Sequence, residues 1–477
     1  MSGPTIVWYR NDLRLADNPA LAAACASGGA VVPVYVLDDA AAGPWRLGGA
    51  ARWWLHHSLA SLQRELAGLG LTLRIARGDA GDTIDRLIAA TGAGAVHWNR
   101  RYEPWAIAQD MTIKAALDQR GVPARSFNAA LGREPWEVAR EGGGAYKVFT
   151  PFWRAWERQG PLPVPLPPPK PLGPPVEPDP AALDALELLP TRPDWAGGLR
   201  ASWQPGEPTA RAALLSFLDG PVRGYGTGRN YPARPAVSRL SARLRHGEIS
   251  VRQAWHGAER TGGPGVGSFI RELVWREFAY HLLYHLPEIT DTPLRPEFAR
   301  FPWADAPDRL RAWQRGRTGY PIVDAGMREL WHTGYMHNRV RMITASFLTK
   351  DLLIPWQQGA AWFWDTLCDA DLASNSASWQ WVAGCGTDAA PYFRIFNPVS
   401  QGEKFDPDGA YVRRWVPELA TLPDELIHRP WEAPAELRAA RNVVLGRTYP
   451  ERLVDHAAAR GRALAAFEQV KGRSWVL

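Results

Sequence analysis

The chain has 477 residues, of which 46% are hydrophobic, and a formal net charge of +6. This composition supports a large buried core and more than one domain, and it excludes an intrinsically disordered protein. No apolar run reaches the length of a membrane span and the first ten residues lack a signal-peptide pattern, so we expect a cytoplasmic protein without membrane contact. Three scattered cysteines exclude a disulfide framework and a four-thiolate metal site.

Two compositional features bear on the partner. The basic surplus is compatible with a polyanion such as nucleic acid, although many basic proteins bind none and a GC-rich genome also favours arginine. The 24 tryptophans exceed what packing alone calls for, since each buried indole N–H needs an acceptor. A large helical core would still account for most of them.

Residues 1–128 alternate short apolar runs with helical patterns, which predicts an α/β domain with a doubly wound parallel sheet of the Rossmann-like type. One helix is predicted over Pro19–Ser27 with Asn18 as its N-cap, and another over Ala50–Gly68. No G-x-G-x-x-G motif follows the first strand, which disfavours a standard dinucleotide site there. The predicted strands are Thr5–Tyr9, Ala30–Leu37, Leu71–Ile75, Ala95–Trp98 and Ala124–Phe127.

An inter-domain linker is predicted over residues 129–208. Its part from residue 160 is rich in proline, most densely at Pro161–Pro169, and is predicted to form neither regular helix nor sheet interior. Residues 209–477 are predicted to form an all-α domain, with clear helical periodicity at Phe269–His285 and Pro321–Thr349.

Two helical faces carry chemically useful side chains. Glu272, Trp275 and Arg276 share one face, which offers an acceptor, a stacking plane and a cation. Asn338 and Met342 share another face with Arg341. Taken alone, the first face is more typical of an amphipathic helix with an ion pair between Glu272 and Arg276, and Met342 could fill a core.

Two further stretches combine polar groups. Asp369, Asp371 and Asn375 lie within seven residues, but no histidine or third carboxylate follows at ligand spacing, so we expect no metal site. The glycines, hydroxyls and arginines of Tyr225–Pro232 and Ser238–Ser241 are suited to holding a diphosphate, as many Gly-rich turns are.

Together these stretches resemble the photolyase/cryptochrome family, and the similarity extends over essentially the whole chain. The segments that carry it are Trp8–Leu21, Glu272–Phe278, Gly316–Arg328 and the run from Tyr392 to Phe405. The resemblance implies an antenna-binding domain followed by a helical catalytic domain that binds FAD. It also implies a monomeric, light-driven DNA-repair lyase.

Site residues follow from the resemblance position by position. The FAD-contacting set is Tyr225, Val237, Ser238, Leu240, Ser241, Arg276, Asn338, Arg341, Asp369, Asp371 and Asn375. The family's usual Gly-Thr before Ser238 reads Ala236-Val237 here, which removes one hydroxyl from the phosphate contacts. Asn375 matches the residue that faces flavin N5, where an amide is the photolyase choice.

The resemblance also implies the lesion. Asn338 and Met342 stand where six-four photolyases have histidines, which favours DNA containing cyclobutane pyrimidine dimers as the substrate. The flipped-out dimer would lie among Glu272, Trp275, Asn338, Met342 and Trp381, with excited reduced FAD as the electron donor. Positions that match phosphate-gripping residues are Arg229, Arg339, Arg394 and Lys404.

Trp303, Trp356 and Trp379 match the family's electron-transfer chain to the flavin, although each alone would be a core anchor. For the antenna chromophore we expect methenyltetrahydrofolate, with a deazaflavin as the alternative. The rival function is a cryptochrome, a photoreceptor without catalysis. The amide at Asn375 and the full set of lesion-contacting positions argue against it.

Overall fold

The computed structural model describes residues 3–140, 142–388 and 393–471. Tyr392, the first residue of one family-like run, lies outside these residues. The chain forms two compact units. Unit 1 comprises the chain up to Arg223, Ser238–Pro287 and Cys368–Ala373, and unit 2 comprises Gly224–Val237, Glu288–Leu367 and the chain from Ser374. The domain bounds at residues 128 and 208 stay a prediction.

Unit 1 contains a five-stranded parallel sheet, which confirms the predicted α/β fold. The spatial order is β3-β2-β1-β4-β5, and Thr5 is in register with both Val31 and Ala95. The chain therefore winds in opposite directions from β1, and the carboxyl ends of β1 and β4 border the crevice where α/β proteins bind ligands. The strands are β1 (Thr5–Tyr9), β2 (Val31–Leu37), β3 (Arg74–Arg77), β4 (Ala95–Asn99) and β5 (Ala124–Phe127).

The third predicted strand was wrong in position. Leu71 and Leu73 lie in the hydrophobic core, but the backbone of Leu71 still donates to the carbonyl of Leu66 in the preceding helix. The apolar run is thus a buried segment that follows the end of the preceding helix, and strand pairing with β2 begins only at Arg74.

The remaining described residues are mainly helical, as predicted. The first predicted helix begins at Pro19 with Asn18 as its N-cap, and the helix predicted from residue 50 begins at Gly49. The helices are α1 (Pro19–Ala26), α2 (Asp39–Ala42), α3 (Gly49–Gly68), α4 (Ala80–Thr91), α5 (Pro104–Gln119), α6 (Phe149–Glu157), α7 (Pro180–Asp184), α8 (Gly197–Ser202), α9 (Glu207–Leu218), α10 (Tyr225–Gly228), α11 (Ser241–Arg245), α12 (Val251–Thr261), α13 (Val266–His285), α14 (Pro307–Gln314), α15 (Pro321–Thr333), α16 (Asn338–Ser346), α17 (Trp356–Thr366), α18 (Leu372–Ala383), α19 (Pro398–Phe405), α20 (Ala410–Trp415), α21 (Asp424–Ile427), α22 (Ala435–Ala440) and α23 (His456–Val470). Among the described residues, no helix is long and apolar enough to cross a lipid bilayer.

Two helical predictions need correction. The periodic segment Pro321–Thr349 is not one helix, because Gly334 ends α15 in the left-handed conformation and the chain restarts at α16, followed by a π-helical turn at Phe347–Asp351. The proline-rich connector has no helix at Pro161–Pro169, but α7 and α8 form within it. Asp179 caps α7 and Pro180 occupies its first turn, where a missing N–H costs nothing.

The N-terminal signature Trp8–Leu21 forms a buried polar network in unit 1. The carboxylate of Asp12 accepts hydrogen bonds from the backbone N–H of Arg10 at 2.6 Å and from the amides of Asn99 at 2.5 Å and Asn18 at 3.2 Å. Gly247, at φ +69°, lies so close that a Cβ there would stand 2.1 Å from the carbonyl oxygen of Asn11. This family-like segment therefore links the carboxyl ends of β1 and β4 through buried hydrogen bonds.

Candidate functional site

In unit 1, the face of α13 that contains Arg276 reaches a buried carboxylate. Tyr280, one turn after Arg276, donates to Asp371 Oδ2 at 2.5 Å, and the Arg276 guanidinium lies 4.7 Å from the Tyr280 ring. Burial would lower the pKa of Arg276, but the neighbouring Tyr280, Asp371 and Glu277 raise it. The structure thus brings two residues of the predicted FAD set, Arg276 and Asp371, together around Tyr280, which sequence reasoning missed.

The segment that carries Asp369 and Asp371 is held by the end of α11. Arg245 Nε donates to the carbonyl of Ala370 at 2.6 Å, and His246 Nε2 lies 3.1 Å from the carbonyl oxygen of Cys368. Both aspartates are buried. These anchors were not predicted, because contacts between a side chain and a distant backbone carbonyl leave no spacing pattern in the sequence.

The predicted phosphate-binding residues of unit 1 lie at the start of α11. Arg239 has φ +51°, and this left-handed residue turns the chain between Ser238 and Leu240. Ser238 is half-buried and Ser241 is exposed, so their hydroxyls and the adjoining backbone N–H groups are the kind of donors that a diphosphate requires. The donor set fits the phosphates of FAD.

The predicted phosphate-binding residues of unit 2 are Tyr225 and Val237. Tyr225 is buried, and the Arg229 guanidinium lies 5.6 Å from its ring. A Cβ on Gly228 would come within 2.7 Å of the Cβ of Ala236, so a glycine is needed there to keep the turn closed. Gly228 therefore makes room for the Cβ of Ala236, at the position where the family usually has glycine.

Helix α16 in unit 2 begins with four predicted site residues within five positions, namely Asn338, Arg339, Arg341 and Met342. Its N-cap is His337, whose Nδ1 accepts from the backbone N–H of Arg339 at 3.2 Å. Burial, together with nearby arginines, lowers the pKa of His337 to about 4, so the imidazole stays neutral and able to accept. Asn338 is exposed, whereas Arg341 and Met342 are half-buried.

Helix α18 carries the predicted flavin-facing amide and two of the tryptophans. Asn375 Nδ2 donates to the carbonyl of Ala360 at 3.1 Å, which fixes the orientation of the amide. Trp381 is half-buried and its indole N–H donates to the carbonyl of Asp388 at 3.0 Å.

The three predicted electron-transfer tryptophans have different surroundings in unit 2. Trp356 and Trp379 are buried, and a Cβ on Gly359 of α17 would stand 2.1 Å from the Trp379 ring. Trp379 of α18 therefore packs against α17 at Gly359, three residues after Trp356. Trp303 is half-buried and packs on Phe301 with ring centroids 4.4 Å apart.

The residues predicted to bind DNA phosphates lie in unit 2. They form a basic cluster, which consists of Arg229, Arg339, Arg394 and Lys404. Burial and the positive charges of Arg229 and Arg394 lower the pKa of Arg339. The Arg339 guanidinium lies 4.3 Å and the Lys404 ammonium 5.4 Å from the Phe405 ring. This collection of like charges around an aromatic ring suits a polyanion.

Two contacts within the basic cluster were not predicted. Asn230 accepts from Arg339 Nη2 at 2.6 Å and so orients its guanidinium. Phe405 supplies the aromatic surface for two of the cations. Phe405 lies inside a family-like segment and Asn230 lies in the Gly-rich stretch Tyr225–Pro232, but neither position carries information on contacts.

A pocket in unit 1 adjoins the sheet crevice, since residues following β1, β2 and β4 line it. The Arg245 Nη1 atom is buried there and has no hydrogen-bond partner among the described residues. The lining is rich in tryptophan and arginine and includes Trp8, Arg10, Tyr35, Asp38, Trp45, Arg101, Trp105 and Arg245. Such a pocket suits a planar ligand with an acidic group.

Two family models match the chain. The family model described as DNA photolyase matches residues 5–171, and the model described as the FAD binding domain of DNA photolyase matches residues 269–469. The second match contains six of the eleven predicted FAD-contacting residues, namely Arg276, Asn338, Arg341, Asp369, Asp371 and Asn375. It therefore assigns an FAD-binding domain to the helical part of the chain.

Two relatives and one solved structure show how far the similarity extends. A deoxyribodipyrimidine photo-lyase of Agrobacterium fabrum is 52% identical over 98% of both chains. Cryptochrome-1 of Arabidopsis thaliana is 38% identical over 98% of this chain and 70% of its own. The crystal structure of a bacterial class III photolyase from Agrobacterium tumefaciens superposes with a TM-score of 0.93 at 50% identity, covering 99% of this chain and 98% of that one. The chain belongs to the DNA photolyase/cryptochrome family and is similar to bacterial deoxyribodipyrimidine photo-lyases over nearly its whole length.

Proposed function

We propose that this protein repairs cyclobutane pyrimidine dimers in DNA by light-driven electron transfer. The observation that carries the proposal is the first turn of α16, where the exposed amide of Asn338 directly precedes Arg339 of the basic cluster. A group that can read a pyrimidine edge and a group that can hold a phosphate are thus adjacent on one helix end.

Each residue has a role in this reaction. The basic cluster holds the phosphates of the damaged strand, and binding is therefore salt-dependent. Glu272 and Asn338 hydrogen-bond the pyrimidine edges, whereas Trp275, Trp381 and Met342 provide the apolar and stacking surfaces of the lesion site. A dimer stacks poorly in the duplex, so it costs less to extrude than an intact base pair.

The predicted FAD-contacting residues divide by the part of the cofactor that they would hold. In this proposal the flavin ring is contacted by Arg276, Asn338, Arg341, Asp369, Asp371 and Asn375. The phosphates of FAD are held by Tyr225, Val237, Ser238, Leu240 and Ser241. When bound in its reduced form, FAD would supply light-driven one-electron chemistry: an electron to open the cyclobutane ring, which would return to the flavin after the ring has opened. Asn375 presents a neutral amide to the ring and cannot donate a carboxyl proton. Electrons pass from the protein surface to the flavin through Trp303, Trp356 and Trp379.

The test is repair of a thymine-dimer oligonucleotide by the purified, FAD-loaded and reduced protein under blue light. A dark control and a six-four lesion run beside it. We expect restoration of thymines only for the dimer and only in light. Glu272→Ala should lower kcat/KM about 10- to 100-fold through loss of a charged hydrogen bond, and Glu272→Gln, which keeps one acceptor, should lose less. Failure to repair either lesion with bound, reduced FAD would leave the cryptochrome function instead.

We further propose methenyltetrahydrofolate as the antenna chromophore. The indoles of the unit 1 pocket offer stacking surfaces for a pterin, and the unpartnered Nη1 of Arg245 offers a donor for a folate carboxylate. Chromatography of the chromophores released from the purified protein decides this point, and recovery of a deazaflavin would contradict it.

A further inference from the structure

Helices α6 and α13 of unit 1 place two pairs of side chains next to each other. The rings of Phe149 and Trp275 are stacked, with centroids 3.7 Å apart and planes inclined by only 6°. One turn away, the Arg271 guanidinium lies 5.8 Å from the Trp153 ring. Because positions 149 and 153, like 271 and 275, are four residues apart, both pairs follow from one register of two antiparallel helices.

The stack with Phe149 occupies one face of the Trp275 indole. Phe149 is buried and covers that face, and the Phe278 ring meets the indole edge-on at 5.8 Å and 73°. Trp275 nevertheless remains half-buried, so it keeps an accessible surface. Two aromatic neighbours thus hold the plane of the indole, and the face that stacks on Phe149 is not available to a ligand.

We propose that Phe149 is a positioning residue for damaged DNA: it covers one face of Trp275, so that an extruded pyrimidine dimer packs on the opposite face as the third layer of a stack that Phe149 begins. This inference rests on the proposed function, in which Trp275 is a surface of the lesion site.

The physical reason is preorganisation. An indole already held in its plane loses little freedom when a base packs against it, so more of the stacking free energy appears as affinity. A flat ring at position 149 provides this support, and parallel aromatic planes attract each other beyond the area they bury. An aliphatic side chain fills the volume but does not fix the plane.

The experiment compares Phe149→Leu with Phe149→Tyr, which keeps the flat ring. Phe152→Leu is the matched control, because Phe152 is a buried phenylalanine on the same helix that packs on Phe278 at 5.1 Å and on His281 at 5.0 Å. Dissociation constants are measured in the dark for a thymine-dimer oligonucleotide and for the same undamaged oligonucleotide. Repair kinetics supply KM and kcat, and the flavin absorption spectrum reports the cofactor site.

We expect Phe149→Leu to weaken binding of the dimer oligonucleotide about tenfold, to leave binding of undamaged DNA and the flavin spectrum unchanged, and to raise KM with kcat within about twofold. Phe149→Tyr should behave as the unsubstituted protein. Phe152→Leu should lower thermal stability without changing the ratio of the two dissociation constants. If Phe149→Leu does not fold, Phe149→Met, with a flexible side chain of similar volume, takes its place.

Two outcomes separate this inference from the proposed function. If the unsubstituted protein shows no preference for dimer-containing DNA, the proposed function fails. If it does show that preference and the Phe149→Leu protein keeps it, or if Phe152→Leu reduces it equally, the positioning role of Phe149 is wrong.

Discussion

The polar network of the N-terminal signature and the basic cluster of unit 2 are both arginine-rich, but their charges are arranged in opposite ways. In the network, Arg10 binds Asp110 at 2.6 Å, and the Asp12 carboxylate receives three hydrogen bonds. In the basic cluster, Arg339 is close enough to Arg229 and Arg394 for their charges to lower its pKa.

This difference separates a structural motif from a binding surface. A buried charge that is paired and hydrogen-bonded holds elements together, whereas like charges brought together raise their own electrostatic free energy and are stabilised by an oppositely charged partner. Both motifs are equally recognisable as family-like sequence. Only the contacts distinguish the first, which links the ends of β1 and β4, from the second, which we propose binds DNA.

The largest effect is expected from breaking the network. Asp12→Ala removes the buried carboxylate that three donors share, although the amide of Asn18 keeps the carbonyl of Arg14 at 3.1 Å and the amide of Asn99 keeps the side-chain oxygen of Asn18 at 2.7 Å. We expect the free energy of unfolding to fall by about 3 kcal/mol. Urea unfolding measures this change. Asp79→Ala is the control, because Asp79 caps α4 at an exposed position and should cost only about 1 kcal/mol. Equal losses would mean that the network is no more than a helix cap.

An intermediate effect is expected at Glu277, a buried carboxyl beside Arg276. It accepts from the backbone N–H groups of Gly132 and Arg133 at 3.0 and 3.1 Å, and burial raises its pKa to about 7. Because the folded protein holds this proton more tightly than the unfolded chain, the free energy of unfolding falls as pH rises from about 4.5 to 7. Glu277→Gln removes this dependence. Its stability relative to the unsubstituted protein should rise by about 2–3 kcal/mol between pH 5 and 8.

Glu103→Gln is the control with the opposite sign. Arg101 is 2.6 Å from Glu103, and the pKa of that buried carboxyl is lowered to about 2, because the attraction of Arg101 outweighs burial. Its contribution is complete above the unfolded pKa and is lost only as pH falls toward 2. The difference between the Glu103→Gln and unsubstituted proteins should therefore stay constant from pH 5 to 8. A parallel change in both variants would contradict the assignment to Glu277.

Local sequence signals predicted much of this molecule, and contacts between distant segments could not be predicted. Asn18 and Pro19 mark the start of α1 because a cap and a first-turn proline act within a few residues. The stack of Phe149 on Trp275 depends on how two helices 126 positions apart in sequence pack together, and no spacing encodes it. The contact of Arg245 with the carbonyl of Ala370 is equally invisible, since any residue type offers that carbonyl. Resemblance supplied Asn375 and the basic residues by position, without their partners.

The smallest effect on stability, and the clearest effect on binding, is expected from Arg339→Gln. The substitution removes a half-buried positive charge next to two others, so the free energy of unfolding should change by less than about 1 kcal/mol. Dissociation constants for DNA measured over a range of salt concentrations should weaken severalfold, and the salt slope should fall by about one because one phosphate contact is lost. Arg311→Gln is the control, because Arg311 is paired with Asp308 at 2.7 Å on α14 and should leave the slope unchanged. If the two variants reduce the slope equally, net charge and not the basic cluster governs DNA binding, and crowded like charges in this protein do not mark the DNA-binding surface.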